Sequence, residues 1–281
     1  MRLPVLAIAV LALVAPAGAA ETPWQEVAPG VAMRLISTGE INEGGETLVA
    51  LELDMPEDTK TYWRVPGETG LPLDLDFTAS TGIGSHRVLW PYPLREDKNG
   101  YLDYVYYGHT VLPLAIDVTD PAARLNIAVT LGVCSDICIP AQAQFALSIL
   151  DKKPDRPSAL RIRQALAEVP LAWDGSGEPV GDVEMVGEQL AVEVAPDLLD
   201  SQSLIAATDN GETLFGAPQK SPQADLVLLP ILGKTDNSAL DGMDVELTFM
   251  TDRGAYMVSR SIEAGDGVDT VRIDDEGEPG R

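Results

Sequence analysis

Cys134 and Cys138 are the two cysteines of this 281-residue chain. Two thiols four positions apart can form a structural disulfide, exchange electrons with other thiols, or hold a soft metal such as Cu(I). On a straight strand they would stand ~13 Å apart, whereas a disulfide needs Cα atoms roughly 4.4–6.8 Å apart. The chain must therefore fold back within Val133-Cys134-Ser135-Asp136-Ile137-Cys138-Ile139-Pro140. A hairpin with Ser135, Asp136 and Ile137 as its loop meets that demand.

As a staple, so short a loop contributes only ~2 kcal/mol, against ~4.7 kcal/mol for a loop of a hundred residues. A pair at a loop tip is well placed for attack by an incoming thiolate, because exchange needs access to one sulfur in line. Asp136 lies inside the loop, and no Lys or Arg occurs between Arg124 and Lys152. Negative neighbours disfavour thiolates, which makes a dithiol reducing, so an exchanging pair here is expected to give electrons. For the metal alternative, His86 and His109 are the histidines that could add imidazole, and methionines such as Met33 and Met55 are scattered. A thioredoxin-like copper carrier would need a helix after the first cysteine, yet Gln142 to Ile149 alternates as a strand. Neither a cofactor nor a metal is required by the sequence.

The elements that must hold the pair are strands. Leu125, Ile127, Val129, Leu131 and Val133 alternate before the cysteines, and Ala141, Ala143, Phe145, Leu147 and Ile149 alternate after them. Leu48 to Leu53 alternates likewise, and Gly, Pro, Asn and Asp punctuate the segment from Trp24 to Ile149, the pattern of a β-sandwich. The charged stretch Asp151 to Pro157 interrupts it. Ile162, Ala165, Leu166 and Val169 then fall on one helical face, predicting a short helix from Ser158 to Val169 stopped by Pro170. Strand patterns return at Leu190–Val194, Ser203–Ala207, Leu226–Leu229, Val245–Phe249 and Ala255–Ser259, with turns at Asp209-Asn210-Gly211 and Asp252-Arg253-Gly254.

The expected architecture is all-β: two immunoglobulin-like β-sandwich domains joined by a short helical linker, the immunoglobulin-like character resting on the resemblance below. The expected boundaries are 1–20 for a secretory signal, 21–150 for the cysteine-bearing sandwich, and 151–179 for the linker. A smaller sandwich spans 180–262 and an acidic disordered tail 263–281. The signal is read from Arg2, the apolar run Leu3–Val14 and the small residues Ala17, Ala19 and Ala20, with cleavage near Ala20. The run is shorter than a membrane-spanning helix, so an exported chain without membrane insertion is expected. With 44 acidic against 19 basic residues the formal charge is −25. Such a surface repels phosphate backbones and anionic lipid, which disfavours nucleic-acid and membrane-surface partners.

Four stretches around the cysteines together resemble one family. They are Tyr62-Trp63-Arg64-Val65-Pro66-Gly67-Glu68-Thr69-Gly70-Leu71-Pro72, Leu89-Trp90-Pro91-Tyr92-Pro93-Leu94-Arg95, Tyr106-Tyr107-Gly108-His109-Thr110-Val111-Leu112-Pro113 and Val133 to Ala141. In this order they resemble the N-terminal periplasmic domain of the DsbD/ScsB protein-disulfide reductases, and the three-residue spacing resembles the ScsB branch. The resemblance implies a periplasmic immunoglobulin-like sandwich whose Cys134–Cys138 pair takes electrons from a separate membrane-embedded donor and passes them to exported thioredoxin-fold proteins. It also implies a loop shielding the pair, whose counterpart is Arg95 to Tyr104 with Tyr101 and Tyr104 as covers. Trp63, Trp90 and Tyr106 are read as core or turn-packing residues. The competing reading is a non-enzymatic exported protein with a structural disulfide or a Cu(I)-binding pair.

Overall fold

The computed structural model describes residues 20–265, apart from 150–153, 220, 222 and 234–236. The expected signal up to Ala19 and the expected tail from Asp266 lie outside the described residues, whereas Glu263–Ala264, expected in the disordered tail, form a short strand paired with Glu184 and Met185.

Among the described residues eleven strands precede the α-helix: β1 (Gln25–Ala28), β2 (Val31–Ile41), β3 (Glu46–Asp54), β4 (Lys60–Gly67), β5 (Asp74–Asp76), β6 (Ile83–Val88), β7 (Leu94–Lys98), β8 (Tyr101–Tyr107), β9 (Thr110–Val118), β10 (Arg124–Cys134) and β11 (Cys138–Ser148). They form two sheets in the orders β1-β2-β3-β9-β6 and β11-β10-β4-β8-β7, with β5 also paired to β10. The alternating residues of β10 and β11 close the core from one side, and Met33, Leu35, Val49, Leu51, Leu53, Leu112 and Leu114 close it from the other. Period-2 alternation thus becomes one apolar and one polar face. The polar face of the second sheet is the one that carries the cysteines.

β3 is buried on both faces because helix α1 (Arg156–Leu166) packs outside the first sheet, with Ile162 against Ile36 and Ala50. Burying Ile162 completely contributes roughly 1.5–3 kcal/mol. The helix begins before the predicted Ser158 because Asp155 caps it: its carboxylate accepts from the Ser158 N–H at 2.9 Å. Pro157 sits in the first turn, where no intrahelical donor is lost. At the other end Ala167 caps the helix, so it stops short of Val169.

Beyond the helix, nine strands among the described residues form one hydrogen-bonded path around a second core. Val183, Val192, Phe215, Leu229, Leu247 and Phe249 lie at its centre. The turns predicted at Asp209–Gly211 and Asp252–Gly254 join the strands Ile205–Thr208 and Leu214–Phe215, and Asp244–Thr251 and Gly254–Ser261. Among the described residues the fold is all-β with one α-helix between the two groups of strands, as expected.

The two cores touch. Ile205 and Ala207 of the C-terminal part are buried with the core of the first sandwich. Around them Arg95 donates to the carbonyls of Gln202 and Leu204 at 2.7 and 2.6 Å, and Tyr92 donates to that of Ser203. Arg64 pairs with Glu246 at 2.5 Å.

Candidate functional site

β10 and β11 run in unbroken antiparallel register from Arg124↔Ser148 to Cys134↔Cys138. The two cysteines are the last paired positions before the loop of Ser135, Asp136 and Ile137, as the hairpin argument predicts. Their Cα atoms are 4.1 Å apart and their sulfurs are joined. Both side chains lie on the outer face of the sheet, since Val133 and Ala141 beside them face the core.

The sulfurs differ in exposure. Cys134 is 2% exposed, whereas Cys138 and the whole loop are exposed, with Ile137 at 75%. The reason is lateral: β10 has β4 on its inner flank, while β11 is an edge strand. Cys134 therefore packs against Tyr62 and Val105, with Tyr107 alongside.

Tyr62 is the group nearest the pair that sequence reasoning missed. Its hydroxyl lies 2.7 Å from the Cys134 sulfur and 3.5 Å from that of Cys138. Two glycines admit its ring. A Cβ on Gly132 would come 3.0 Å from the ring, and one on Gly70 would come 2.5 Å from it. Burial raises the Tyr62 hydroxyl above its ordinary value, against the pull of nearby Lys60, so it stays protonated at neutral pH.

A cleft of about 350 Å³ opens over the pair, lined by Lys60, Glu96, Lys98, Tyr101, Asp103 and Tyr107 together with both cysteines and the loop. The hairpin β7–β8 forms one wall. Asn99-Gly100 turns it, with φ of 57° and 80°, the left-handed pair that a two-residue primed turn requires. The resemblance implies a loop from Arg95 to Tyr104; the segment is instead a hairpin, which this dipeptide signals in the sequence. Its Glu96 and Asp103 carboxylates hold Lys60, the latter at 3.0 Å, and Asp103 also accepts from the N–H and hydroxyl of Thr69. Tyr107 donates to Glu96. Burial lowers the Lys60 ammonium's affinity for its proton, but the two carboxylates outweigh it and the net shift is upward.

Of the two expected covers, Tyr101 lines this cleft and Tyr104 does not. Tyr104 is 1% exposed, stacks edge-on against Trp63 at 5.7 Å and points its hydroxyl at the Phe215 carbonyl. The two tyrosines are three apart on one strand, so they face opposite sides of the sheet. The stretch around the pair holds no Lys or Arg, but Lys60 and Lys98 bring two ammonium groups to the cleft from strands remote in sequence.

Trp63 and Tyr106 are core residues, the latter donating to the Pro91 carbonyl at 2.7 Å. The histidines stand away from the cysteines. His86 stacks on Phe77 at 3.9 Å, and His109 meets Glu52 at 2.9 Å beside Arg161. Met33 and Met55 are buried in the core. Among the described residues no helix is long and apolar enough to cross a membrane.

Residues 32–149 match the family model described as thiol:disulfide interchange protein DsbD, N-terminal. The crystal structure of the N-terminal periplasmic domain of ScsB from Proteus mirabilis superposes with a TM-score of 0.70 at 21% identity, covering 88% of this chain and 100% of that one. All four motifs fall within the matched residues, and the fold likeness extends past the helix. The full ectodomain of mouse nectin-like molecule 4 aligns at 12% identity over 84% of this chain and 65% of that one, with a TM-score of 0.19. Titin Ig tandem domains A164-A165 align at 8% identity over 79% and 89%, with a TM-score of 0.18. Neither of these two carries an argument. Comparison with curated proteins gives no match.

Proposed function

We propose, on the premise that residues 32–149 carry the DsbD N-terminal family match, that this chain is a periplasmic thiol–disulfide exchange module. It takes electrons at Cys134–Cys138 from a separate membrane-embedded donor and hands them to exported thioredoxin-fold proteins. The observation that carries the reading is the asymmetry of the bonded pair: one sulfur sealed beneath Tyr62, its partner open at a hairpin tip. A staple needs no such opening, whereas exchange needs one accessible sulfur and one leaving sulfur.

The asymmetry supports one order of events on this reading. A donor thiolate attacks Cys138, the Cys134–Cys138 bond breaks, and its electron pair stays on Cys134 as a thiolate. The Tyr62 hydroxyl donates to that thiolate. The donor's second thiolate then cleaves the mixed disulfide, and both cysteines take up protons from solvent. In the return direction the Cys138 thiolate attacks the client disulfide and Cys134 resolves the adduct. Tyr101, which lines the cleft and is itself 53% exposed, leaves Cys138 open in this structure and would shield the pair only by moving over it. Residues 21–150 form the exchanging domain, 151–179 the linker and 180–262 a second domain, in a chain exported behind residues 1–20.

The test is trapping with single-cysteine variants. Cys134→Ser, which keeps the open sulfur, should accumulate a mixed disulfide with a thioredoxin-fold partner, and Cys138→Ser should not. Equal trapping by both, or by neither, would overturn the assignment.

A further inference from the structure

Across the sheet from Cys134 stands a cation. Lys60 on β4 is its register partner, and side chains at paired antiparallel positions share a face with Cβ atoms about 4.5–5.5 Å apart. The ammonium lies 5.6 Å from the centroid of the Tyr62 ring, whose hydroxyl reaches the Cys134 sulfur.

Six charged side chains face the cleft: Asp58, Lys60, Glu96, Lys98, Asp103 and Asp136. Asp58, Lys98 and Asp136 are exposed, so water and salt screen them. Lys60, Glu96 and Asp103 are withdrawn from solvent, with side-chain exposures of 12%, 19% and 5%, and form one bonded triad. Their field is the one the buried sulfur feels. Asp103 is committed to Thr69 as well as Lys60, while Glu96 sits on the hairpin wall with Tyr107 as its further partner.

We propose that Lys60 sets the charge balance at Cys134: its ammonium stabilises the thiolate released when the disulfide opens, and Glu96 restrains that effect by pairing with it. The inference rests on the exchange reading above. In the step concerned, the attacking thiolate bonds to Cys138, the pair's own bond breaks toward Cys134, and no proton moves. The negative charge that appears on Cys134 is therefore met by groups already in place.

Two substitutions separate this from a structural role, because both break the same ion pair. Lys60→Met removes the cation, and Glu96→Gln frees it. The opening of the disulfide by dithiothreitol is followed in the purified chain, with the thiol titration of the reduced protein as a second readout. Lys60→Met should raise the titration by about one pH unit and slow opening about threefold. Glu96→Gln should lower the titration and speed opening by a similar factor. Shifts of the same sign in both variants, or none in either, would overturn the inference. If Lys60→Met does not fold, the sign for Glu96→Gln decides: faster opening supports it and slower or unchanged opening ends it. A wild-type disulfide inert to dithiothreitol sinks the exchange reading itself, whereas a reactive wild type with same-sign variants sinks this inference alone.

Discussion

The hydroxyl of Tyr62 rests 2.7 Å from the sulfur of Cys134, although the two residues are 72 positions apart in the chain. That contact gives the buried sulfur a donor at the moment it becomes a leaving group. Removing it with Tyr62→Phe keeps the ring against Gly70 and Gly132. A hydrogen bond to a charged group contributes about 1.5–3 kcal/mol, so opening by dithiothreitol should slow by about tenfold or more. The melting temperature should move little, and an unchanged rate would show that the hydroxyl is a bystander.

Ile137 is 75% exposed at the loop tip beside Cys138, with Ile139 at 38%. On the exchange reading, this apolar pair would meet a protein partner and not a small thiol. Ile137→Asp should therefore slow exchange with a reduced thioredoxin-fold protein several-fold more than with dithiothreitol. Equal slowing with both reagents would argue that the loop shapes the disulfide and does not dock a partner.

Arg95 and Glu96 are adjacent on β7 yet act on opposite sides of the hairpin. Arg95 holds the C-terminal part through the carbonyls of Gln202 and Leu204, and Glu96 holds the cleft through Lys60. Arg95→Ala should destabilise the chain by about 1.5–3 kcal/mol, the scale of hydrogen bonds to a charged group. It should also speed amide hydrogen exchange across Leu94–Tyr107 relative to β2 and β3. Uniform protection would mean that the C-terminal part does not steady this wall.

The same wall has an acid limit. Burial tends to raise the Glu96 carboxyl, but its bonds from Lys60 and Tyr107 prevail and hold it below its ordinary 4.5. A depressed folded value means that the stabilisation is present above about pH 4.5 and is lost as pH falls through the lower folded value. Hydrogen exchange and tyrosine fluorescence of the hairpin should report loosening below that pH in wild type. Glu96→Gln should abolish the Glu96 component of that acid transition, and an identical transition in both proteins would exclude Glu96 as its source.

Much of the scaffold was legible locally. The alternation in β10 and β11 marked which side chains enter the core, and the four-residue spacing demanded a hairpin between the cysteines. The helix was legible from its period, but its start was not. The stretch Asp151 to Pro157 reads as an interruption of the strand pattern, yet Pro157 sits in the first helical turn behind the Asp155 cap, where a missing N–H costs nothing. The inward turn of Tyr104 was legible too: a period of two cannot place it on the same face as Tyr101.

By itself, then, the sequence determined the all-β character, the hairpin that joins Cys134 to Cys138 and the faces that become core, because strand period and turn chemistry are written within a few neighbouring residues. Only the tertiary structure decided that Lys60 and Tyr62 stand beside Cys134, and that Cys134 is covered while Cys138 is open. Strand order and the register between β4, β8 and β10 come from packing two sheets over one core, a condition that no short stretch of chain contains.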